Sequence, residues 1–211
     1  MEFSKKLAII MFGAPGSGKG SQGEILREKT KFKSYIMSSL IKEELVDGSP
    51  LYDKIKSGLL VDDVDIFNIF RSKFNFEKNV IFDGIPRTLD QAFWIYGFLV
   101  SNNYNIKFVN LNVDQDKLIN RITARYFCPK CGALYNSISK KSKVEGICDV
   151  DGVKLKQRTD DTEEVLSQRL KIFNTDKDKI LKIFKKNLIN IDGDKFLDEV
   201  SEEIFKKVIK N

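Results

Sequence analysis

A glycine-rich stretch near the start of the chain has the residue types that could hold a polyphosphate. Glycines let the backbone curve so that its N–H groups point inward, and the N-terminus of a following helix adds a dipole that favours an anion. Lys19 would bring a positive charge to the phosphate group being transferred. The predicted triphosphate site, which follows an apolar segment and precedes a segment with helical spacing, consists of Gly13, Ala14, Pro15, Gly16, Ser17, Gly18, Lys19, Gly20 and Ser21.

One residue of this stretch departs from the common P-loop pattern. That pattern has Ser or Thr directly after the lysine, whereas here Gly20 intervenes before Ser21. The departure indicates a subfamily. A glycine-rich turn without a ligand is the alternative, and the apolar segment before it, the lysine within it and the helical spacing after it all disfavour that alternative.

A carboxylate that could take part in the chemistry follows another apolar segment. Residues 80–82 are Val, Ile and Phe, and Asp83 comes next. If these residues form a strand, the carboxylate lies at the carboxyl edge of the sheet, where ligands gather. Such an aspartate commonly holds Mg²⁺ through water. A carboxylate that only caps the next turn is the alternative.

Three cysteines and one aspartate have the spacing of a metal site. Cys128 and Cys131 form C-x2-C, and after 16 residues Cys148 and Asp151 form C-x2-D. Two such turns can present four ligands tetrahedrally, and zinc accepts a carboxylate in place of one thiolate. We therefore predict a structural zinc ion. The alternatives are a metal-free segment with three reduced thiols, and a zinc ribbon whose lysines at 140–143 contact nucleic acid.

The elements that must position these groups alternate along the chain. Four apolar runs have strand length, and segments with helical spacing separate them. This order predicts an α/β fold with a parallel sheet covered by helices on both faces. Two stretches, at about 30–61 and 126–156, break the alternation and are predicted insertions. The strand-like runs are 7–12, 80–82, 106–113 and 188–191, and the helical segments follow residue 18 and cover 89–100, 117–125, 165–173 and 196–208.

Composition limits the class of protein. With 211 residues, 42% of them hydrophobic, the chain can bury one sizeable core. A net charge of +6 suits an anionic ligand but does not distinguish a polyphosphate from nucleic acid. The apolar run at 7–12 is too short for a signal peptide or a membrane span, so we expect a cytoplasmic protein that does not bind a membrane. The chain has no histidine, so other groups must perform any proton transfer or metal binding.

Three motifs, in matching order along nearly the whole chain, resemble the adenylate kinase family with a long, zinc-type lid. They are GAPGSGKGSQ at 13–22, DGIPRT at 83–88 followed by Gln91, and QRTDD at 157–161. The resemblance implies a P-loop NTPase-type sheet and the reaction ATP + AMP ⇌ 2 ADP with Mg²⁺. It also implies a core (1–29, 62–120 and 160–211), an acceptor insertion (30–61) that binds the monophosphate, and a lid (121–159).

The reaction class agrees with the residues available. A phosphate acceptor is already anionic, so positioning and charge neutralisation can suffice without a histidine base. Arginine suits this task because its planar guanidinium grips phosphate oxygens at two points. Arg121 and Arg125 are four residues apart, which predicts that they share one helical face. The resemblance assigns catalytic roles to Lys19, Arg87, Arg121, Arg125, Arg158 and Arg169.

The resemblance also implies further contacts with each nucleotide. For ATP they are Arg121, Arg125 and, through its backbone, Lys195, although Asp-Gly before that lysine also fits an ordinary turn. Asp160 and Asp161 either orient lid arginines on closure or cap the helix that follows. For AMP the implied contacts are Ser38, Lys42, Leu59, Val61, Gly84, Arg87, Gln91, Arg158 and Arg169.

The acceptor insertion departs from the family pattern. Residues 36–42 read IMSSLIK where the family usually has a Ser-Thr-Gly-Asp stretch and a later arginine, and the insertion is several residues shorter. Lys42 cannot make the two-point contact of arginine, which leaves acceptor affinity and selectivity open. Ile85 replaces the usual Phe of DGFPRT.

Two other functions stay open at this point. One is a kinase for UMP, CMP or another monophosphate. The other is a P-loop nucleotide switch, which the DGIPRT segment and lid arginines disfavour because a switch needs no second phosphate site. We expect ATP, AMP and ADP as partners, no nucleic acid, and, from the family likeness, a monomer.

Overall fold

The computed structural model describes residues 6–44, 61–157 and 161–210 of the chain. This part contains a parallel sheet with helices, and a small hairpin. The strands are β1 (Lys6–Gly13), β2 (Lys33–Ile36), β3 (Asn79–Asp83), β4 (Tyr104–Asn112), β5 (Arg125–Phe127), β6 (Leu134–Asn136) and β7 (Leu188–Asp192). The helices are α1 (Lys19–Thr30), α2 (Met37–Glu43), α3 (Asp63–Lys73), α4 (Leu89–Ser101), α5 (Gln115–Thr123), α6 (Glu163–Ile183) and α7 (Leu197–Ile209).

β1 lies at the centre of a five-stranded parallel sheet with the order β2-β3-β1-β4-β7. Successive side chains of β1 enter two different cores. Ile10 packs in one with Phe82 and Phe108, and Ile9 packs in the other with Ile204 of α7. Helices therefore cover both faces of the sheet, and the predicted α/β fold is confirmed.

The sheet places the predicted site at one edge. Met11 pairs with Asp83, and Gly13 pairs with Leu111, so β1, β3 and β4 end side by side. The neighbours of β1 are β3 on one side and β4 on the other, which makes β1 the point where the strand order reverses. Ligands of open α/β sheets bind at this position.

The structure differs from the predicted elements in several places. β2 is a strand of the core sheet that the sequence pattern does not predict, although it lies within the range assigned to the acceptor insertion. Only Tyr35 of its four residues is buried, so it has no apolar run. Helix α3 is a further unpredicted element, and α6 continues to Ile183, well beyond the predicted end at 173.

The described part of the predicted lid is a hairpin of β5 and β6 with two cysteine-containing turns. Its own core is small and consists of the buried residues Cys128, Tyr135, Cys148 and Leu155. Across residues 6–44, 61–157 and 161–210, each helix is too short or too polar to span a bilayer.

Candidate active site

The loop between β1 and α1 has a backbone that requires glycine. Gly13 has φ +147°, and a Cβ there would lie 2.7 Å from the carbonyl oxygen of Leu111 and from Oγ of Ser17. Gly18, with φ +94°, occupies the N-cap of α1, where it has no side chain to cap the helix. The cap therefore offers no side-chain acceptor to the first N–H groups of α1. These N–H groups stay available to bind an anion.

Lys19 turns back over this loop. Its Nζ donates to the carbonyl oxygens of Gly13 at 2.7 Å and Ala14 at 2.8 Å. Burial lowers the pKa of Lys19 to about 8, although the nearby carboxylate of Asp83 raises it. The three guanidinium groups that also lower this pKa belong to Arg87, Arg169 and Arg125. Lys19 is therefore surrounded by four charged groups from three separate segments of the chain.

Asp83 ends β3 beside the first turn of α1. A Cβ built on Gly20 would lie 3.5 Å from Asp83 Oδ2. The carboxylate is thus at the phosphate loop, and carboxylate oxygen is a donor that Mg²⁺ prefers. The residues present therefore fit a magnesium ion, which Asp83 would hold.

The predicted arginines come from different elements. Arg87 is exposed in the loop after β3, where its Nε donates to the carbonyl oxygen of Gly84 at 3.1 Å. Arg169 is half-buried on α6. Arg121 lies in the last turn of α5 with Nη2 3.7 Å from Asp194 Oδ1. Arg158 falls outside the described residues.

The prediction that Arg121 and Arg125 share a helical face is wrong. Helix α5 ends at Thr123, and Arg125 is the first residue of β5, paired with Asn136 of β6. The hairpin of β5 and β6 starts there, so extended backbone replaces the last predicted helical turn. The side-chain amide of Asn136 donates to the carbonyl oxygen of Arg121 at 2.9 Å and ties the hairpin to the helix end.

Asp161 contacts Arg125. The guanidinium donates through Nε to Oδ2 at 2.7 Å and through Nη2 to Oδ1. The cap of α6 is Thr162, whose hydroxyl accepts from the backbone N–H of Val165 at 3.3 Å. Of the two predicted roles of Asp161, the geometry therefore fits the orientation of an arginine. Asp160 falls outside the described residues.

Among the residues predicted to contact AMP, the loop after β3 meets the start of α2. Gly84 has φ +86°, and a Cβ there would lie 3.4 Å from Cβ of Met37. Ser38 follows Met37 and is half-buried, whereas Lys42 is exposed near the C-terminal end of α2. Val61 is buried in the main core. Leu59 falls outside the described residues.

The loop after β7, which contains Lys195, packs against the end of β4. The N–H of Gly193 donates to the carbonyl oxygen of Asn112 at 2.7 Å, and a Cβ on Gly193 would lie 2.6 Å from Val113 Cγ2. The side chain of Lys195 instead turns to α7, with its Nζ 2.8 Å from Glu203, which raises the lysine pKa. The ion pair with Glu203 thus occupies the side chain of Lys195, and a contact of its backbone with ATP stays a prediction.

The four predicted metal ligands lie together. The three sulfur atoms and a carboxylate oxygen of Asp151 are all within 4.8 Å of one another. Sγ of Cys131 and Cys148 are 3.6 Å apart, and Sγ of Cys128 lies 3.3 Å from both oxygens of Asp151. Zinc at about 2.3 Å from each sulfur would separate tetrahedral sulfur ligands by roughly 3.8 Å. The donor set and its spacing fit a zinc ion.

The two ligand turns have the same hydrogen bonds. The N–H of Gly132 donates to the carbonyl oxygen of Cys128, and that of Gly152 donates to the carbonyl oxygen of Cys148, both at 3.0 Å. The backbone N–H two residues after each of these cysteines donates to its Sγ at 3.4 Å. Both glycines have positive φ, +76° and +68°. The repeated geometry supports a ligand set built from two equivalent halves.

The structure adds contacts that the sequence pattern did not indicate. Asp63 at the start of α3 binds Thr88 and Gln91, and Asp176 on α6 accepts from the N–H of Leu89 at 3.1 Å. Asp194 lies 3.4 Å from Nζ of Lys117. In the sequence, each of these three aspartates is only a carboxylate in a helix or turn. Such residues are too common to indicate a contact with the site.

Comparison with known proteins agrees with this geometry. The family model described as adenylate kinase matches residues 11–189. The adenylate kinase of Staphylococcus epidermidis is 34% identical over 93% of this chain and 96% of its own. That of Rickettsia bellii is 34% identical over 97% and 99%, and that of Pyrococcus furiosus is 33% identical over 93% of each chain. The loop around Lys19, the arginines that surround it and these similarities lead to one conclusion: the chain belongs to the adenylate kinase family of phosphotransferases.

Proposed function

We propose that this chain catalyses the reversible transfer ATP + AMP ⇌ 2 ADP and so balances adenine nucleotides. The observation that carries the proposal is the position of Lys19, which lies among Asp83 and the guanidinium groups of Arg87, Arg125 and Arg169. One phosphate loop and several cations at the same edge of the sheet suit two phosphate-bearing ligands placed end to end.

The residues act by positioning and charge neutralisation. The backbone N–H groups of the loop and Lys19 hold the β- and γ-phosphates of the donor. Arg87, from the loop after β3, binds the phosphate of the acceptor, and Arg125 and Arg169 neutralise charge on the group that moves. The acceptor phosphate is already ionised, so no side chain has to remove a proton. Asp83 would hold magnesium, which would add further neutralisation of the phosphate charge when it is bound.

The lid supplies cations and excludes water. Arg125 enters the site from β5 of the lid, and Leu134 of β6 lies over the first turn of α1. Lys140 of the lid also lies 3.4 Å from Glu24 of α1. Closure of the lid over both nucleotides protects ATP from hydrolysis. We propose that zinc at the cysteine turns holds this small segment in shape.

The proposal extends to the remaining family properties of the chain. We infer the acceptor insertion at 30–61, the lid at 121–159, a cytoplasmic location and a monomer. The three cysteines are unpaired, which suits a reducing compartment.

The direct test is ADP formation from ATP offered with AMP, CMP, UMP or GMP in parallel. We expect AMP to be the preferred acceptor. Lys19→Met should nearly abolish turnover with every acceptor while the protein stays folded by circular dichroism. A protein that uses only a non-adenine monophosphate would make the named substrate wrong. A protein that binds ATP and engages no monophosphate would overturn the proposed reaction.

A further inference from the structure

Asp63 joins helix α3 to the loop that carries Arg87. Its Oδ1 accepts a hydrogen bond from Nε2 of Gln91 at 2.8 Å, and its Oδ2 accepts one from the hydroxyl of Thr88, also at 2.8 Å. On the other side of the Gln91 amide, Oε1 accepts from the backbone N–H of Arg87 at 2.8 Å. Gln91 is 2% exposed. The amide is therefore held at both of its polar atoms.

These contacts fix the orientation of the Gln91 amide, that is, which side carries the oxygen and which the nitrogen. An ionised carboxylate only accepts hydrogen bonds, and a backbone N–H only donates. A half-turn of the amide would bring its N–H₂ against the N–H of Arg87 and its oxygen against the carboxylate of Asp63. Both contacts would then be repulsive. In the observed order, these two contacts use one N–H of Nε2 and one lone pair of Oε1, so a second N–H and a second lone pair remain on the amide.

The order of these two groups distinguishes classes of nucleobase. A 6-aminopurine presents an amino donor beside a ring-nitrogen acceptor, which the remaining lone pair and N–H can match. A 6-oxopurine presents a carbonyl acceptor beside a ring N–H donor, which is the reverse. It would pair well only with an amide turned the other way, and a site with unmatched buried polar groups rejects its ligand strongly.

We propose that Asp63 is a positioning residue that fixes the order of donor and acceptor on Gln91, and that the acceptor site thereby selects AMP over the 6-oxopurine nucleotide IMP. The inference rests on the proposed function, because it takes Gln91 to be the residue beside the acceptor base. Thr88 contributes by donating a hydrogen bond to the second oxygen of Asp63, which limits rotation of the carboxylate.

The test compares Asp63→Asn with a matched variant, Asp65→Asn. An asparagine side chain in place of Asp63 keeps the same shape but can donate or accept, so it accommodates the Gln91 amide in either order. Asp65 is exposed in the same first turn of α3, so its variant removes the same charge near the helix N-terminus. The values of kcat/KM for AMP and for IMP are measured for each protein with saturating ATP.

We expect the AMP-to-IMP ratio of kcat/KM to fall by about tenfold or more in Asp63→Asn, the size expected for one lost hydrogen bond to a charged group. The backbone N–H of Arg87 still opposes the reversed order, so some selectivity should remain. Asp65→Asn should keep the wild-type ratio. If Asp63→Asn does not fold, Asp63→Ala is the second variant, with the same expected change in ratio.

An unchanged ratio in the folded variant, or an equal fall of both kcat/KM values, would overturn the role of Asp63. A wild-type protein that phosphorylates AMP and IMP equally well would also overturn it while leaving the kinase function in place. A wild-type protein that phosphorylates no monophosphate would overturn the proposed function and this inference with it.

Discussion

Asp161 and Arg125 form a two-point ion pair between the chain segment that leaves the lid and the strand that enters it. The side chain of Asp161 is 1% exposed, and that of Arg125 is 21% exposed. A fork-shaped contact fixes both the distance and the plane of a guanidinium. Because Arg125 is one of the cations around Lys19, the position of a buried carboxylate determines where that charge stands in the site.

We expect Asp161→Asn to lower kcat by about tenfold to a hundredfold, because a small misplacement of a group that positions substrate has a cost of this size. The KM for AMP should change much less, since Arg125 is proposed to act on the group in transfer. Steady-state kinetics with both nucleotides varied would measure this. Asp178→Asn on the exposed surface of α6 is the control, and a wild-type kcat in folded Asp161→Asn would contradict the argument.

Binding of a triphosphate should take up a proton at a pH just above 8. Burial lowers the pKa of Lys19 to about 8 in the ligand-free chain, and neighbouring phosphates must raise it again. At a pH between these two pKa values, the free lysine is mostly neutral and the bound lysine is mostly protonated. Calorimetric titration with a non-hydrolysable ATP analogue in buffers of different ionisation enthalpy measures the number of protons taken up.

Lys19→Arg is the matched variant for this experiment, because a guanidinium stays protonated throughout this range. We expect proton uptake in the wild type and its loss in Lys19→Arg. Uptake of the same size in both proteins would assign the proton to a different group.

Local sequence signals were sufficient for much of the site. The loop around Lys19, the carboxylate of Asp83 and the two cysteine turns each lie within a few residues, so their geometry follows from spacing and turn chemistry. The core strands were predictable because each is an apolar run of strand length. β2 was not, because three of its four residues are polar or exposed and Tyr35 alone is buried.

Contacts between distant segments could not be predicted from spacing. Asp63 and Gln91 are 28 residues apart, and nothing in either segment indicates the other. Arg125 shows the opposite case, because its separation of four residues from Arg121 suggested a shared helix that the lid hairpin interrupts. In both cases the position of the side chain depends on how segments that are distant in the sequence pack together.

Removal of metal should destabilise the lid. We expect about one zinc ion per purified chain, since the four ligands are complete. A strong chelator should lower the melting temperature, because the described lid core has only four buried residues and is too small to hold the lid in shape without the ion. Asp151→Ala should weaken metal retention during dialysis, whereas Asp151→Cys should retain zinc at least as well as the wild type. A metal-free protein whose melting temperature does not change with the chelator would contradict the zinc site.

Gly20 lies where the lid meets the phosphate loop. Its substitution should change stability and activity in opposite directions. A Cβ at this position would be 3.2 Å from Cδ1 of Leu134, so the lid must move by a few tenths of an ångström. Gly20 has no positive φ, so alanine fits the backbone of the first turn of α1. Alanine is also the better helix former, by about 1 kcal/mol. Gly20→Ala should therefore raise the melting temperature.

The same variant should lower kcat/KM for ATP by roughly two- to fivefold, because a displaced lid no longer places its cations in line with the donor phosphates. Truncation of Leu134, the lid side chain in this contact, tests directly whether the displaced lid causes the loss. We expect Leu134→Ala in the Gly20→Ala background to recover part of the loss, whereas Leu134→Ala alone should not raise activity. Independent, additive effects of the two substitutions would mean that the contact between Gly20 and Leu134 does not limit lid closure.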